Sequence, residues 1–254
     1  MMRAVILAAG RGSRMGSLGD RPKCLVELKG KPLIERQIAA LRRGGVDEIG
    51  IVRGYRAEMI EFNDLRCFAN ERWAETNMVT SLAAAADWLR AGTVIVSYGD
   101  IFYRSGLVRS LAGTSGPVVI SYDRSWRRLW TRRFADPLAD AETFRIDAVD
   151  HLVEIGGKTT KIEDIKGQYM GLLKFTPPGW SAVEALIGTL DASVRDRLDM
   201  TALLRRLLAA NALPIGTCGT DGQWGEIDNP EDVALYEKMV GEGELLLEPL
   251  SGQL

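Results

Sequence analysis

The sequence predicts an α/β protein with a mostly parallel sheet and helices on both faces, and three observations support this class. Strand-like apolar runs alternate with segments of helical period along the first half of the chain. Helical spacers between strands favour parallel pairing. The first predicted strand, residues 4–7, leads directly into a loop rich in glycine. The 254 residues, of which 46% are hydrophobic, can fill one sizeable core.

The elements follow in order from their periodicity and from the residues at their ends. Residues 32–43 are amphipathic, with Pro32 in the first turn and two glycines at the end. Residues 229–232, Asn-Pro-Glu-Asp, predict the start of a last helix. The remaining predicted helices are residues 55–62, 80–90, 107–111, 178–190 and 200–210. The predicted strands are residues 4–7, 48–52, 65–68, 93–96, 117–122, 148–155, 169–175 and 224–227.

The second half of the chain is less regular than the first. Residues 124–141 are charged and aromatic and receive no assignment. We therefore expect one domain, residues 1–240, which contains a less regular region at about residues 124–175. We expect a loosely ordered C-terminal tail at residues 241–254.

Charge and cysteine content exclude several functional classes. The net charge of −2 and the pI near 5.7 give no overall nucleic-acid footprint. The short apolar stretch at the N-terminus is interrupted by glycine and arginine, so it predicts neither a signal peptide nor a membrane span. Three widely spaced cysteines fit no zinc motif and no disulfide framework. The sequence therefore predicts a cytoplasmic protein with no nucleic-acid or membrane partner.

Residues 7–23 form the most informative segment of the chain. This loop contains four glycines, together with Arg11, Arg14, Arg21 and Lys23. Glycines let backbone N–H groups approach a phosphate closely, and the cations supply counter-charge. The loop lacks G-x-x-x-x-G-K-[ST], and Met15 stands where the dinucleotide fingerprint needs its next glycine. The pattern predicts a phosphate-binding loop of another type.

This segment resembles the signature of the nucleotidyltransferase family, L-A-A-G-x-G-x-R-[ML]-…-P-K, at every motif position. The resemblance implies a Rossmann-like fold and an enzyme that joins a nucleoside triphosphate to a phosphorylated small molecule and releases pyrophosphate. It implies catalytic roles for Arg14, Lys23 and Asp100. It also implies that the loop binds the nucleotide through Leu7, Ala8, Ala9, Gly10, Arg11, Gly12, Ser13, Arg14 and Lys23.

Two acids predict a magnesium site. Asp100 directly follows the strand-like segment TVIVSYG, residues 93–99, whereas Asp228 follows the run at residues 224–227. Carboxylates at strand ends suit a triphosphate-bound Mg²⁺, which needs only one or two protein carboxylates. Both acids also match the metal-binding positions of the family. The alternative is that each caps a turn or a helix, and Asp228 could serve both purposes.

Later segments resemble a subgroup of this family. Residues 75–81 are similar to the E-x-N-x-x-x-S segment of phosphocholine cytidylyltransferases, which implies that Asn77 and Ser81 lie beside the nucleotide. The alternative is the capped start of a helix. Residues 167–172 and 225–229 resemble the same group and its relatives that act on 2-aminoethylphosphonate. The resemblance implies CTP as the nucleotide.

The unassigned segment favours a zwitterionic acceptor. Tryptophan faces and carboxylates together hold an ammonium group, and the neighbouring arginines, Arg133 among them, suit a phosphonate. Asp140 and Glu142 belong to the same cluster. The alternative is a surface loop with an aromatic anchor. The predicted acceptor-binding residues are Trp126, Trp130, Asp136, Tyr169 and Glu226.

The sequence therefore predicts a Mg²⁺-dependent cytidylyltransferase that acts on CTP and a small zwitterionic phosphate or phosphonate, such as phosphocholine or 2-aminoethylphosphonate. The alternatives are a sugar-1-phosphate nucleotidyltransferase that uses another triphosphate, a glycosyltransferase, and a non-catalytic nucleotide sensor. A homodimer is left open. The single histidine, His151, gives no basis for a nucleophilic triad.

Overall fold

The computed structural model describes residues 1–12 and 20–250. Its strands are β1 (Arg3–Ala8), β2 (Glu27–Leu28), β3 (Lys31–Pro32), β4 (Glu48–Arg53), β5 (Arg66–Ala69), β6 (Val94–Tyr98), β7 (Ile101–Tyr103), β8 (Val118–Asp123), β9 (Phe144–Ile146), β10 (Leu152–Ile155), β11 (Gln168–Phe175), β12 (Ile215–Thr220) and β13 (Trp224–Glu226). Its α-helices are α1 (Leu33–Arg43), α2 (Met78–Ala83), α3 (Ala86–Ala91), α4 (Ser105–Gly113), α5 (Trp126–Arg133), α6 (Pro177–Gly188), α7 (Ala192–Asp196), α8 (Met200–Ala209) and α9 (Pro230–Gly241).

Seven strands form the central sheet in the order β12-β8-β11-β6-β1-β4-β5. Only β11 runs antiparallel to its neighbours, β6 and β8, and the other pairs are parallel. The predicted α/β class with a mostly parallel sheet is confirmed. Three short antiparallel pairs, β2 with β3, β9 with β10 and β7 with β13, lie outside this sheet.

The alternation of side chains along β1 shows why helices cover both faces. Ala4, Ile6 and Ala8 join the core on one face, which includes residues of α1, α4 and α9. Val5 and Leu7 join the core on the other face, which includes residues of α2, α3, α6 and α8. Successive strand side chains point to opposite faces, so a continuously apolar strand must be covered twice.

Several predicted elements differ in detail from the structure. The predicted helix at residues 80–90 is two helices, α2 and α3, because Ala84 and Ala85 make tight i→i−3 bonds between them. Residues 55–62 contain only one 3₁₀ turn, Ala57–Met59. The unassigned segment contains α5. The edge strand β12 was missed because its sequence, IGTCGT, lacks an apolar alternation.

The expectation of a loosely ordered tail is wrong for residues 242–250. Leu245, Glu248 and Leu250 are buried. One oxygen of Glu248 accepts a hydrogen bond of 2.8 Å from the backbone N–H of Ser105, at the start of α4. A carboxylate at a helix N-terminus satisfies a free donor and favours the helix dipole, so this contact fixes the tail. Within the described residues, no helix has the length and hydropathy that a bilayer crossing requires.

Candidate active site

A pocket forms where β1 and β6 end side by side. Leu7 pairs with Tyr98 in the parallel register, so the loop that follows each strand opens at the same edge of the sheet. The predicted residues that line this pocket are Leu7, Ala8, Ala9, Gly10, Gly12, Lys23, Asn77, Ser81 and Asp100. Arg11 does not line it, and its guanidinium lies 5.6 Å from the ring centre of Tyr55. Ser13 and Arg14 lie outside the described residues.

Two glycines make the close approach in this pocket feasible. Gly12 has a φ of +69°, and a Cβ there would lie 2.5 Å from Cγ of Lys23. A Cβ on Gly99 would lie 2.7 Å from the carbonyl oxygen of Leu7. Neither position accepts a side chain without displacing the lysine or the backbone, and Gly12 also needs the left-handed region.

Lys23 lies between two carboxylates. Its Nζ donates to Oδ2 of Asp100 at 3.0 Å and to Oδ1 of Asp228 at 2.7 Å. Burial by itself would lower the pKa of Lys23, but the negative charges of Asp100 and Asp228 outweigh it and raise that pKa. The lysine is therefore charged and acts as the counter-ion of the two acids.

Asp100, Glu226 and Asp228 form an acidic cluster, in which one ligand oxygen from each residue lies within 4.8 Å of the others. The pairing of β7 with β13 sets Ile101 opposite Glu226, which brings the acids together from distant segments. Burial, followed by the charges of Asp100 and Asp228, raises the pKa of Glu226 to about 8. The N-cap of α9 is Asn229, in a capping box with Asp232, so Asp228 is not the capping residue.

The acidic cluster fits a divalent cation. Oδ1 of Asp100 is buried and has no hydrogen-bond partner among residues 1–12 and 20–250. A buried carboxylate oxygen without a partner is costly, and a cation beside it would remove that cost. The donor set consists of oxygens only, which is the set that Mg²⁺ prefers.

Arg133 lies buried behind the acidic cluster. Its guanidinium donates to both carboxylate oxygens of Asp232, at 2.9 and 3.0 Å. Its Nη2 is also 3.5 Å from Asp228, and its Nη1 is 4.0 Å from Glu226. In the sequence, Arg133 belongs to the group of arginines that suit a phosphonate. The structure instead pairs it with acids from β13 and the start of α9.

A second pocket lies on the other side of Tyr98, whose side chain borders both pockets. Three carboxylate residues, Asp140, Glu142 and Glu226, line it. Gly171 has a φ of +74°, and a Cβ there would lie 2.6 Å from the Tyr98 ring. This glycine therefore leaves the space that the tyrosine occupies between the two pockets.

The predicted acceptor residues are only partly brought together. Trp130, Tyr169 and Glu226 line the second pocket, whereas Trp126 and Asp136 do not. Trp126 is buried, and its indole N–H donates to the carbonyl of Ile165 at 3.3 Å. Asp136 is exposed and accepts a bond from the backbone N–H of Leu138, as the cap of a short 3₁₀ turn.

Trp130 offers the second pocket little of its ring. The side chain is 3% exposed, and the Arg133 guanidinium lies 5.4 Å from the ring centre. Its indole N–H donates to Oδ2 of Asp140 at 3.2 Å, which orients that carboxylate. Burial raises the pKa of Glu142, although the charge of Lys158 opposes the shift. The second pocket therefore combines three carboxylate residues with Tyr98 and Tyr169, and the Trp130 ring contributes little surface to it.

Sequence reasoning missed several residues around the two pockets. Trp73 and Thr76 line the first pocket, and Asn70 bonds to Thr76 and Ser81 behind it. The only local signal was the E-x-N-x-x-x-S segment, which contains Thr76 and closely follows Asn70 and Trp73. Thr201, from α8, lines the second pocket, and no pattern in the sequence indicated it.

The α/β sheet carries a glycine loop and a lysine at one strand end and an acidic cluster at the next. This combination is typical of enzymes that bind nucleotides and act on their phosphates. Residues 4–161 match the MobA-like NTP transferase domain family. The chain belongs to this family, and it is a nucleotidyltransferase.

Two relatives and one solved structure illustrate the similarity. The chain is 35% identical over 253 residues to a CTP:phosphoglutamine cytidylyltransferase of Campylobacter jejuni, with 91% of this chain and 98% of the relative covered. It is 36% identical over 104 residues to a 2-aminoethylphosphonate cytidylyltransferase of Lancefieldella rimae, which covers 39% of this chain and 42% of the relative.

The solved structure is the CTP:phosphocholine cytidylyltransferase of Streptococcus pneumoniae. It superimposes with a TM-score of 0.68 at 21% identity and covers 94% of this chain and 99% of that one. At this identity the likeness shows the fold alone. The family match and the two cytidylyltransferase relatives confirm the predicted resemblance to nucleotidyltransferases of the cytidylyltransferase group.

Proposed function

We propose that this enzyme transfers CMP from CTP to a small phosphorylated acceptor that carries an ammonium group, and releases pyrophosphate. One observation carries the proposal: the glycine-loop pocket and the acidic pocket meet at Tyr98 and at the cluster of Asp100, Glu226 and Asp228. A triphosphate in the first pocket and a cationic acceptor in the second would face each other across this cluster.

The nucleotide side would bind phosphates through charge and backbone. The amides of Gly10 to Gly12, with Arg14, would hold the β- and γ-phosphates. Lys23 would leave its bonds to Asp100 and Asp228 and bridge the phosphates of nucleotide and acceptor. A Mg²⁺ ion held by Asp100 and Asp228 would neutralise charge on the triphosphate. Lys23 would add positive charge at the α-phosphate, where negative charge grows in the transition state.

The reaction needs no general base from the protein. A phosphate or phosphonate oxyanion on the acceptor is already ionised at neutral pH, and it attacks the α-phosphorus as pyrophosphate departs. Alignment and charge neutralisation are then the contributions of the chain. The absence of a requirement for a general base agrees with the histidine content of the chain. The single histidine, His151, lies in the β9–β10 hairpin and pairs with Asp147.

The second pocket favours a primary ammonium group on the acceptor. Quaternary ammonium groups are recognised by open aromatic faces, and the Trp130 ring is buried with Arg133 against it. Asp140, Glu142 and Glu226 offer carboxylate oxygens, which accept hydrogen bonds from an N–H-bearing cation. Phosphoglutamine, named for the Campylobacter relative, and 2-aminoethylphosphonate both carry such a group, and phosphocholine does not.

The test is pyrophosphate release with four nucleoside triphosphates crossed with four acceptors: phosphoglutamine, 2-aminoethylphosphonate, phosphocholine and glucose 1-phosphate. We expect CTP with phosphoglutamine or 2-aminoethylphosphonate to give the highest kcat/KM. A higher value with glucose 1-phosphate would favour the sugar-phosphate alternative. Preference for phosphocholine would contradict the primary-ammonium argument and leave the transferase chemistry intact.

A further inference from the structure

Arg133 is the last residue of α5, and its side chain contacts the start of α9. The side chain is 1% exposed. Its Nε donates to Oδ1 of Asp232 at 2.9 Å, and its Nη2 donates to Oδ2 of the same carboxylate at 3.0 Å. A bidentate bond between a buried guanidinium and a carboxylate fixes the orientation of both groups. Arg133 is therefore a fixed part of the wall behind the acidic cluster.

Asp232 connects this guanidinium to the backbone of Asp228. Its Oδ2 accepts a hydrogen bond of 2.8 Å from the backbone N–H of Asp228 and one of 3.3 Å from that of Asn229. Arg133 also acts on the side chain directly, because its Nη2 lies 3.5 Å from Oδ2 of Asp228. Both the backbone and the carboxylate of Asp228 are therefore held from the Arg133 side.

The two carboxylate oxygens of Asp228 face different cations. Oδ1 accepts from Nζ of Lys23 at 2.7 Å, and Oδ2 lies beside Arg133. In the proposed reaction Lys23 moves to the phosphates, whereas Arg133 stays in place because it is buried and bound to Asp232. Oδ1 then becomes available to a divalent cation, while Oδ2 keeps Arg133 beside it.

The same guanidinium faces a second acid of the cluster. Its Nη1 lies 4.0 Å from Oε2 of Glu226. This Nη1 is buried and has no hydrogen-bond partner among residues 1–12 and 20–250. Opposite charges attract at this separation without a hydrogen bond, and burial strengthens the attraction. Arg133 therefore attracts Glu226 and Asp228 from the same side of the cluster.

We infer that Arg133 is a positioning residue that turns Oδ1 of Asp228 toward the divalent cation; this rests on the proposed function, in which Asp100 and Asp228 hold that cation. Loss of a group that orients a metal ligand commonly lowers metal affinity about 10- to 100-fold. A lysine would keep the charge of Arg133, and so its repulsion of the cation, but could not form the bidentate bond to Asp232. Arg133→Lys therefore tests orientation separately from charge.

The experiment measures the Kd for Mn²⁺ by calorimetry in nucleotide-free enzyme. Every protein carries Lys23→Met, so that no lysine occupies the oxygens of Asp100 and Asp228. A double-mutant cycle compares this background with Arg133→Lys, with Asp228→Asn and with both. We expect Arg133→Lys to raise the Kd about tenfold alone and less than about twofold when combined with Asp228→Asn, because coupled substitutions are not additive.

The neighbouring residue of α5 supplies a matched control. Arg132 forms an ion pair with Glu244 near the surface, so Arg132→Lys makes the same chemical change away from the acidic cluster. We expect this control to leave the Kd unchanged. An equal loss of affinity from Arg133→Lys with and without the Asp228 carboxylate would mean that Arg133 only maintains the fold, and would overturn the inference.

A second variant decides the matter if Arg133→Lys does not fold. Asp232→Asn weakens the contact with Arg133, while Asn229 can still accept from the backbone N–H of residue 232. It should raise the Kd with the Asp228 carboxylate present and not in its absence. An unchanged Kd in folded Arg133→Lys or in Asp232→Asn would overturn the inference. If Asp228→Asn alone left the Kd unchanged, the proposed cation site itself would be wrong.

Discussion

The proposed nucleotide side and the proposed acceptor side of the site are built in different ways. The nucleotide pocket takes most of its wall from the ends of two adjacent parallel strands, β1 and β6, and from the segment at residues 73–81. The acceptor pocket takes its wall from α5, residues 140–142, β11, α8 and β13. Backbone geometry therefore forms the first pocket, and side chains from distant segments form the second.

This difference determines which substitutions each side of the site can tolerate. The glycine loop needs left-handed backbone at Gly12 and close approach at Gly99, so substitutions there disturb every substrate of the enzyme. In the acceptor pocket, a side-chain carboxylate such as that of Glu142 lines the wall, and the pocket does not depend on a special backbone conformation at that residue. We therefore expect that substitutions can change acceptor specificity without loss of the nucleotide site.

The largest effect is expected at Lys23, where the two sides meet. Lys23→Met should lower kcat at least about a hundredfold, the scale for one charge-stabilising group in a transition state. The same substitution frees Asp100 and Asp228 from their counter-ion. Nucleotide-free enzyme should then bind Mn²⁺ more tightly than the wild type, as measured by calorimetry.

The exposed Lys166 provides a matched control, since Lys166→Met removes the same charge away from the acids. Near-full activity in a folded Lys23→Met variant would contradict the proposal that Lys23 bridges the phosphates of nucleotide and acceptor. Weaker Mn²⁺ binding would show that Lys23 does not compete with the cation.

A smaller effect is expected from the acids. Asp228→Asn should raise the Mg²⁺ concentration for half-maximal activity about tenfold, because a site with few protein ligands loses one carboxylate. The melting temperature should fall, because Asp228 loses its charged contacts with Lys23 and Arg133, although Asn229 and Asp232 still cap α9. A Mg²⁺ titration checks the first expectation and calorimetric melting the second. An unchanged Mg²⁺ requirement would leave Asp228 only as the partner of Lys23.

The acceptor side is tested by Glu142→Gln. Loss of one charged hydrogen-bond acceptor should raise KM for the acceptor about tenfold and leave KM for CTP unchanged. Glu163→Gln, at an exposed position, is the matched control. Initial rates at varied acceptor and fixed saturating CTP give the first constant, and the reverse experiment gives the second. Equal changes in both constants would mean that the two pockets are not separate in function.

The smallest effect is expected at the ion pair between Arg72 and Asp196, which joins the segment before α2 to α7. Hydrogen bonding from Arg72 and its charge lower the pKa of Asp196. A lowered folded-state pKa contributes stability above the ordinary aspartate value, about pH 4, and that stability is lost as pH falls through the folded value.

The melting temperature of Asp196→Asn should therefore lie slightly below that of the wild type at pH 7 and approach it near pH 3. Glu163→Gln, which removes a carboxylate charge at an exposed position, is the control for charge alone. A constant difference across this pH range would show that the Asp196 carboxylate contributes through packing instead.

The sequence by itself determined the α/β class and the family, and it predicted the phosphate-binding loop. These depend on local pattern: apolar runs that give strands, and glycines with cations that suit phosphate wherever they follow a strand. Lys23 and Asp100 were identified in this way because each lies within a few residues of a predicted strand end or motif.

Only the tertiary structure decided which distant groups meet. In the sequence, Trp126 and Trp130 both look available to a ligand. In the structure, α5 buries both, and Arg133 lies against the ring of Trp130. Glu226 was expected in the acceptor site, and the pairing of β7 with β13 also sets it beside Asp100. Helix faces and strand pairing determine burial and long-range neighbours, which sequence separation does not encode. For this reason residues 7–23 predicted a phosphate-binding loop by themselves, whereas the sequence named Asp140, Glu142 and Glu226 as separate candidates and only the structure shows that they line one pocket.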